Sequence, residues 1–480
     1  MNKTYGVCLG LLALGLVGFG APASRAASRL AADESAGGGE TTTTSTTNSS
    51  ASASTPGPAD LRQPTDATKS ELADLDKSAA SAADGPQDQG SPAPAAQAPA
   101  AAPAAAAPMP LPTPSMAGPL ATGIPHELPA GPFGKIEITG ILSGIGLFNN
   151  NPVVHGDEGH VDISNAQIFI QKTTGWFQFY LQGGAYNVPI LGVQFAKTGP
   201  TTTGLFGPFP VGYAKLVKGN FNIEIGALPT LVGDEYTFTF ENMNIERGLL
   251  WNQEQAVSRG IQLNEVYKKL TLAFSWNDNF YSDRYTTLSG SLAYAVNAAN
   301  TISFVGAGNA GNTYVRIGPA NSFGVTPAYQ NNEQVYNLIY TYTKWPLIIS
   351  PYYQYTVVKS DDSVYTTPGA HTNGGAVLVN YAFKHGFSLA ARPEYIKSSG
   401  SVATREANLL TYGSGTGAFA FTVTPTWVKD AFFLRGDLAV VHLTNFVTGD
   451  AGFGIGLPGV PLTGSNTNQF RGAIEAGFMF

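Results

Sequence analysis

The chain has 480 residues, a formal net charge of −7 and only 12% charged residues, well below the roughly 25% of an average soluble domain. Mean hydropathy is nevertheless −0.01, because the polar share is carried by Gly, Tyr, Thr, Asn and Ser rather than by charge. Such mild acidity gives no support to nucleic-acid binding, and a single cysteine, Cys8, excludes internal disulfides and Cys-based metal sites.

Taken in chain order, the first segment has the layout of a secretory signal. Lys3 supplies a positive start, residues 6–20 form an apolar run, and Ala21-Pro22-Ala23 offers a small-x-small cleavage site. The run is short for a bilayer span, so residues 1–23 are expected to be a cleaved signal peptide. Residues 24–130 follow as a polar tract (41–50) and an Ala/Pro tract (91–116). Neither holds enough large apolar residues for a core, and a disordered leader is expected. Its functional reading is a periplasmic extension reaching toward peptidoglycan or another partner.

Residues 131–480 are the expected barrel, and from Lys135 onward the period is two. Residues 270–277 set Leu270, Leu272, Phe274 and Trp276 against Thr271, Ala273, Ser275 and Asn277. The final segment sets Phe470, Ile474, Phe478 and Phe480 against Arg471 and Glu475. A strand with lipid on one face and a watery lumen on the other explains both this pattern and an aromatic last residue. Phe478 and Phe480 are read as a C-terminal assembly signal, with the barrel-assembly machinery as its partner.

Sixteen such segments are counted: 135–147, 161–172, 176–186, 210–218, 221–228, 260–267, 269–277, 286–297, 300–309, 333–343, 346–358, 372–383, 386–397, 416–427, 431–443 and 468–480. The gaps between them alternate long and short, beginning with a long one. Short periplasmic turns and long outer loops alternate this way in an up-and-down membrane barrel, and Greek-key sandwiches do not. The expected fold is all-β: a transmembrane antiparallel up-and-down barrel of about 16 strands, with 14 or 18 left open. It places the chain in outer-membrane lipid, with the turns at Lys268, Lys344, Lys384 and Lys429 in the periplasm.

The longest gap, Pro229 to Arg259, carries Asp234, Glu235, Glu241, Glu246 and Glu254 against Arg247 and Arg259, with Tyr236, Phe238, Phe240 and Trp251. Left in water, those aromatics would form a costly patch. Folded into the lumen, they would bury against the wall and carry charge into the pore, where charged rings select solutes. Alternation places Arg392, Glu394, Arg435, Asp437, Arg471 and Glu475 on the lumen face of the late strands, along with Glu137 and Glu224 early on. With the loop's Asp234, Glu235, Glu241, Glu246 and Arg247 they form the expected constriction. A second reading of these residues is a set of paired charges that stiffen the lumen. Pro393, which lacks an N–H, suggests a bulge or a break.

The segment from Gly226 to Arg247 resembles the signature of outer-membrane β-barrel porins described as OmpL-like. Gly226, Thr230, Gly233, Glu235, Asn242 or Asn244, and Arg247 occupy its positions. The resemblance extends over about 135–480 and implies a solute channel passing small hydrophilic solutes or ions. It does not cover the leader and implies no cofactor.

Two other constellations carry less. His155, Asp157, Glu158 and His160 cluster in the first long gap, which a polar outer loop explains without a metal. His442 has an outward parity while Ser289 and Ser291 point inward, so no nucleophile dyad of an outer-membrane hydrolase is seen. The alternative to a channel is an anchor or adhesin with working outer loops and an occluded lumen.

Overall fold

The computed structural model describes residues 116–152, 157–279, 281–313, 328–364, 366–400, 415–445 and 467–480. The expected signal peptide and most of the expected leader lie outside them, as does His155. From Met116 onward the last part of the expected leader has a defined course, and it ends in a short strand, His126–Pro129 (β1), paired antiparallel with the strand that follows.

The barrel strands in the first half are Lys135–Asn149 (β2), Gly159–Lys172 (β3), Phe177–Tyr186 (β4), Val211–Lys218 (β5), Phe221–Pro229 (β6), Val257–Tyr267 (β7), Leu270–Asn277 (β8) and Thr287–Asn297 (β9). The second half consists of Asn300–Asn309 (β10), Glu333–Lys344 (β11), Leu347–Val358 (β12), Ala370–Ala382 (β13), Phe387–Ser398 (β14), Gly417–Lys429 (β15), Phe432–Thr444 (β16) and Asn468–Met479 (β17). Each pairs antiparallel with its neighbours in sequence, and β17 pairs back onto β2, with Met479 opposite Ile141. The sixteen strands β2–β17 thus close into an antiparallel up-and-down barrel, which leaves no ladder edge unpaired.

Each of the sixteen expected segments is found as a strand. The hairpins at the end that holds Phe480 are tight, and positive φ angles at Gly219, Lys268, His385 and Asp430 supply their reversal. Burial alternates with the sequence period. On β8 Thr271, Ala273, Ser275 and Asn277 are buried while Phe274 and Trp276 are exposed. On β17 Arg471, Ala473 and Glu475 are buried while Phe470 and Ile474 are exposed. At the short-turn end the outer face carries aromatic pairs, Phe432–Phe478 at 6.0 Å and Phe478–Phe480 at 5.9 Å between centroids, the girdle expected at a membrane interface.

Of the two outcomes expected at Pro393, a bulge or a break, the bulge is absent. Register on both sides of β14 is continuous: Ala391 faces Val379, Glu394 faces Ala376, and Pro393 faces Phe421. Only the ladder toward β13 is interrupted there, since proline has no N–H to donate.

Two long connections turn inward rather than outward. The first joins β6 to β7 and holds short 3-10 turns at Thr239–Glu241 and Leu250–Gln253. The second joins β4 to β5 and reaches the first through a parallel bridge between Ile190 and Arg247. These connections, rather than the barrel wall alone, make up the core.

Candidate functional site

The β6–β7 loop is pinned to opposite sides of the lumen by its apolar residues. Phe238, Phe240 and Trp251 pack in a cluster with Ile141, Phe169 and Tyr180 of β2–β4, and Phe169 lies 5.5 Å from Phe240 between ring centroids. Val232, Met243, Leu249 and Leu250 pack in another cluster with small and aliphatic wall residues of β10–β16, among them Val335, Ala376, Ala418 and Ala439. Burying such side chains contributes about 1.5–3 kcal/mol each, so a loop of this composition has reason to leave water.

Its polar groups are met by the charged wall. Arg392 on β14 pairs with Glu235 of the loop at 2.5 Å and with its strand neighbour Glu394 at 3.4 Å. Arg471 on β17 pairs with Glu246 at 2.7 Å. Arg435 on β16 lies 3.5 Å from Glu475 and donates to the loop carbonyls of Thr239, Asn242 and Met243 at 2.9, 2.8 and 2.9 Å. The wall carboxylates take loop donors in turn. Glu394 accepts from the Leu249 N–H at 2.7 Å, Asp437 from the Glu246 N–H at 2.8 Å, and Glu475 from the Thr239 hydroxyl at 2.7 Å. Arg247 turns back into its own loop, donating to the carbonyls of Thr237 and Ile245. Charged groups held this far from water persist only when paired and hydrogen-bonded, and Arg392, Arg435, Arg471 and Glu475 are each at most 1% exposed.

The structure therefore brings most of the expected residues together. Glu235 and Glu246 face wall arginines as expected. Glu241 instead folds back to accept the Phe238 N–H at 2.9 Å, capping the short helical turn. Asp234 lies beside Ser350 of β12, with no ion pair to an arginine among the described residues. Phe478 sits on the outer girdle, and Phe480 exchanges backbone hydrogen bonds with Gly140 at 2.7 and 3.0 Å.

Sequence reasoning missed three groups. The first is the β4–β5 connection, read as an outer loop: Arg471 donates to its Ile190 and Val193 carbonyls at 2.8 and 2.7 Å, and its Leu191 is fully buried. The apolar run Val188-Pro189-Ile190-Leu191 was the available signal. The second is an acidic group on the other flank of the loop. Glu254 meets the Tyr352 hydroxyl at 3.4 Å, Glu333 opens β11 at 1% exposure, and neither is in an ion pair among the described residues. The third is an uncharged polar lining on β7–β9: Gln262 bonds to Asn264 at 2.9 Å, and Asn277 to Ser275 and Ser289 at 3.1 Å each. Among the described residues no group of His, Cys, Asp and Glu has the arrangement to hold a metal ion.

Comparison with solved structures finds a porin-like barrel. An anion-selective porin from Comamonas acidovorans is 12% identical, with 72% of this chain and 99% of that chain covered and a TM-score of 0.50. The outer-membrane OmpT of Vibrio cholerae is 11% identical, with 74% and 100% covered and a TM-score of 0.48. At such identity the Comamonas likeness speaks to fold alone. Comparison with curated proteins gives no match. Residues 135–480 match the family model described as "Putative beta-barrel porin-2, OmpL-like", and the chain belongs to that family of outer-membrane porins.

Proposed function

We propose that the protein is a channel for passive diffusion of small hydrophilic solutes or ions across the outer membrane, narrowed by loop 229–259. The observation that carries this reading is the loop itself, pinned by Phe240 to β3 and by the Glu235–Arg392 and Glu246–Arg471 pairs to β14 and β17. A segment held so firmly across a barrel has the means to set a size limit. On this reading the protein is not an enzyme. Residues 1–23 are removed on export, residues 24–115 serve as a spacer toward peptidoglycan, and the short turns face the periplasm. Assembly uses Phe478 and Phe480.

The proposed selectivity is a mild preference for cations. Arg392, Arg435 and Arg471 all have carboxylate partners. The paired cluster holds five carboxylates, Glu235, Glu246, Glu394, Asp437 and Glu475, against four arginines, Arg247, Arg392, Arg435 and Arg471, which supports a small excess of negative potential along the path. The Comamonas porin is anion-selective, so this chain is expected to differ from it in sign. Recording purified protein in planar bilayers under a salt gradient tests both points. Discrete steps with a reversal potential on the cation side are expected, and a reversal potential on the anion side would refute the selectivity.

A second reading, an anchor or adhesin with an occluded lumen, is favoured by the near-complete burial of the wall arginines. It predicts a silent bilayer, and loss of surface binding when the outer loops are trimmed.

A further inference from the structure

A stretch upstream of the family match runs inside the barrel. Its course can be followed residue by residue from the rim inward. Ile124 is exposed, and the α-carbon of Gly123 lies so close to the C-terminus that an added Cβ would sit 3.0 Å from the Phe480 carbonyl carbon. Pro119 to Ile124 line one side of a cavity of about 470 Å³, and Val428, Asp430, Phe433, Met479 and Phe480 line the other. Leu120 is 4% exposed and belongs to the same apolar cluster as Phe240, Phe433 and Met479. At Gly118 a Cβ would fall 2.3 Å from the Asn242 carbonyl oxygen, an approach only glycine permits. The Ala117 N–H then donates to the Glu241 carbonyl at 2.8 Å, and Met116 packs on the cluster.

We infer that Met116–Ile124 is a strap that enters the lumen at the Phe480 end, docks on the backbone of the β6–β7 loop, and forms part of the permeation path. Six residues of extended chain reach about 20 Å, enough to carry the strap from the rim to the loop. One backbone hydrogen bond, one glycine contact and the apolar side chains of Leu120 and Met116 hold it, whereas three ion-paired arginines hold the loop. The strap is the weaker of the two obstructions and the one more readily displaced.

The inference rests on the channel reading, and the test separates the two. In full-length protein carrying Cys8→Ser, a single thiol is introduced by Ala117→Cys, half-buried where the backbone bonds to the loop, or by Ala121→Cys, at an exposed position. A bulky charged thiol reagent should label the Ala121→Cys protein readily and the Ala117→Cys protein about ten-fold more slowly, as expected for a half-buried site docked on the loop and freed by local opening. Adding Leu120→Asp should abolish that difference and raise single-channel conductance by roughly two-fold. Reagent attached at position 121 should reduce the current. Equal labelling of the two variants would overturn the docked strap, whether or not the protein conducts. Slow labelling at position 117 with conductance unmoved by Leu120→Asp and by modification at position 121 would remove the strap from the path and leave the channel reading standing. Slow labelling in a protein that stays silent, with and without Leu120→Asp, would overturn the channel reading and the strap's part in permeation together.

Discussion

Two arcs of the same barrel wall have opposite chemistry toward the lumen. The arc β14–β17 buries six charged side chains, Arg392, Glu394, Arg435, Asp437, Arg471 and Glu475. The strands of the arc β7–β9 bury Gln262, Asn264, Thr271, Ser275, Asn277 and Ser289, and the one buried charge there, Asp278, lies just past the end of β8, paired with Arg259. Both arcs come from strands of the same period and the same outward apolar band, so lipid contact does not explain the difference. What differs is the neighbour. The charged arc faces the loop, and its charges are matched to loop carboxylates, carbonyls and amides. Most hydrogen bonds of the neutral arc stay within the wall, with Ser289 bonded to Gln255 at 3.3 Å among the few that reach the loop. Charge in this lumen serves first to hold a loop, and a solute on the proposed path would travel along uncharged polar groups.

The largest test of that contrast removes the loop. Replacing residues 232–254 by a short Gly/Ser linker exposes the charged arc and should raise conductance several-fold while reducing ion selectivity. An unchanged current would show that the loop is not the obstacle. A gentler variant, Arg392→Ala, leaves the buried Glu235 and Glu394 without their cation. Breaking a buried pair this way costs about 3–5 kcal/mol, and the denaturant midpoint should fall accordingly. The matched change on the other arc, Ser275→Ala, removes a neutral hydrogen bond, the one from Asn277 at 3.1 Å, at a cost of about 1 kcal/mol. Equal losses at the two sites would erase the distinction between the arcs.

The strands were legible because a barrel between lipid and water imposes the period-two code on every segment, and because tight and long connections alternate with it. Inward folding of the β6–β7 loop was legible too, from Phe238, Phe240 and Trp251, which would be costly in water. The partners were not. Glu235 and Arg392 are 157 residues apart, and alternation assigns a face without assigning an opposite number. Glu241 shows the consequence: its charge suggested a wall partner, and alternation said nothing of the Phe238 N–H that its place in a 3-10 turn brings to its carboxylate. The strap escaped because Met116-Ala117-Gly118-Pro119-Leu120 has no period and follows an Ala/Pro tract. What places it is a loop backbone more than a hundred residues later. The neutral arc was hidden in plain view, since serines and threonines on a lumen face are what any such barrel carries.

Selectivity offers a finer comparison. Arg435→Ala frees Glu475 and should move the reversal potential toward cations. Thr271→Asp adds the same unit of charge to the neutral arc, whose arginine, Arg259, is already paired with Asp278 and Asp283. If ions follow that arc, the shift from Thr271→Asp should exceed the shift from Arg435→Ala. The reverse order would place the path along the charged arc. Both shifts should shrink between about 0.1 M and about 1 M salt, as the screening length falls from about 10 Å to about 3 Å.

The smallest effect on the finished channel is expected at the seam shared by the two ends of the barrel sequence. Phe480 exchanges both backbone hydrogen bonds with Gly140, and its ring lies over that glycine, where an added Cβ would come 2.5 Å from the ring. Phe480→Ala keeps the backbone pair and discards the ring, together with its contact to Phe478. The closed barrel therefore retains its ladder and both arcs, and conductance should be unchanged. Closure itself must bring β17 to β2 across the whole chain, a non-local pairing of the kind that folds slowly. The ring is the first large apolar group available to hold that seam, so its loss should slow appearance of the heat-stable barrel in a refolding or membrane-assembly time course. Wild-type kinetics in this variant would show that the terminal aromatic is a passive member of the girdle, and altered conductance would show that the seam reaches into the path.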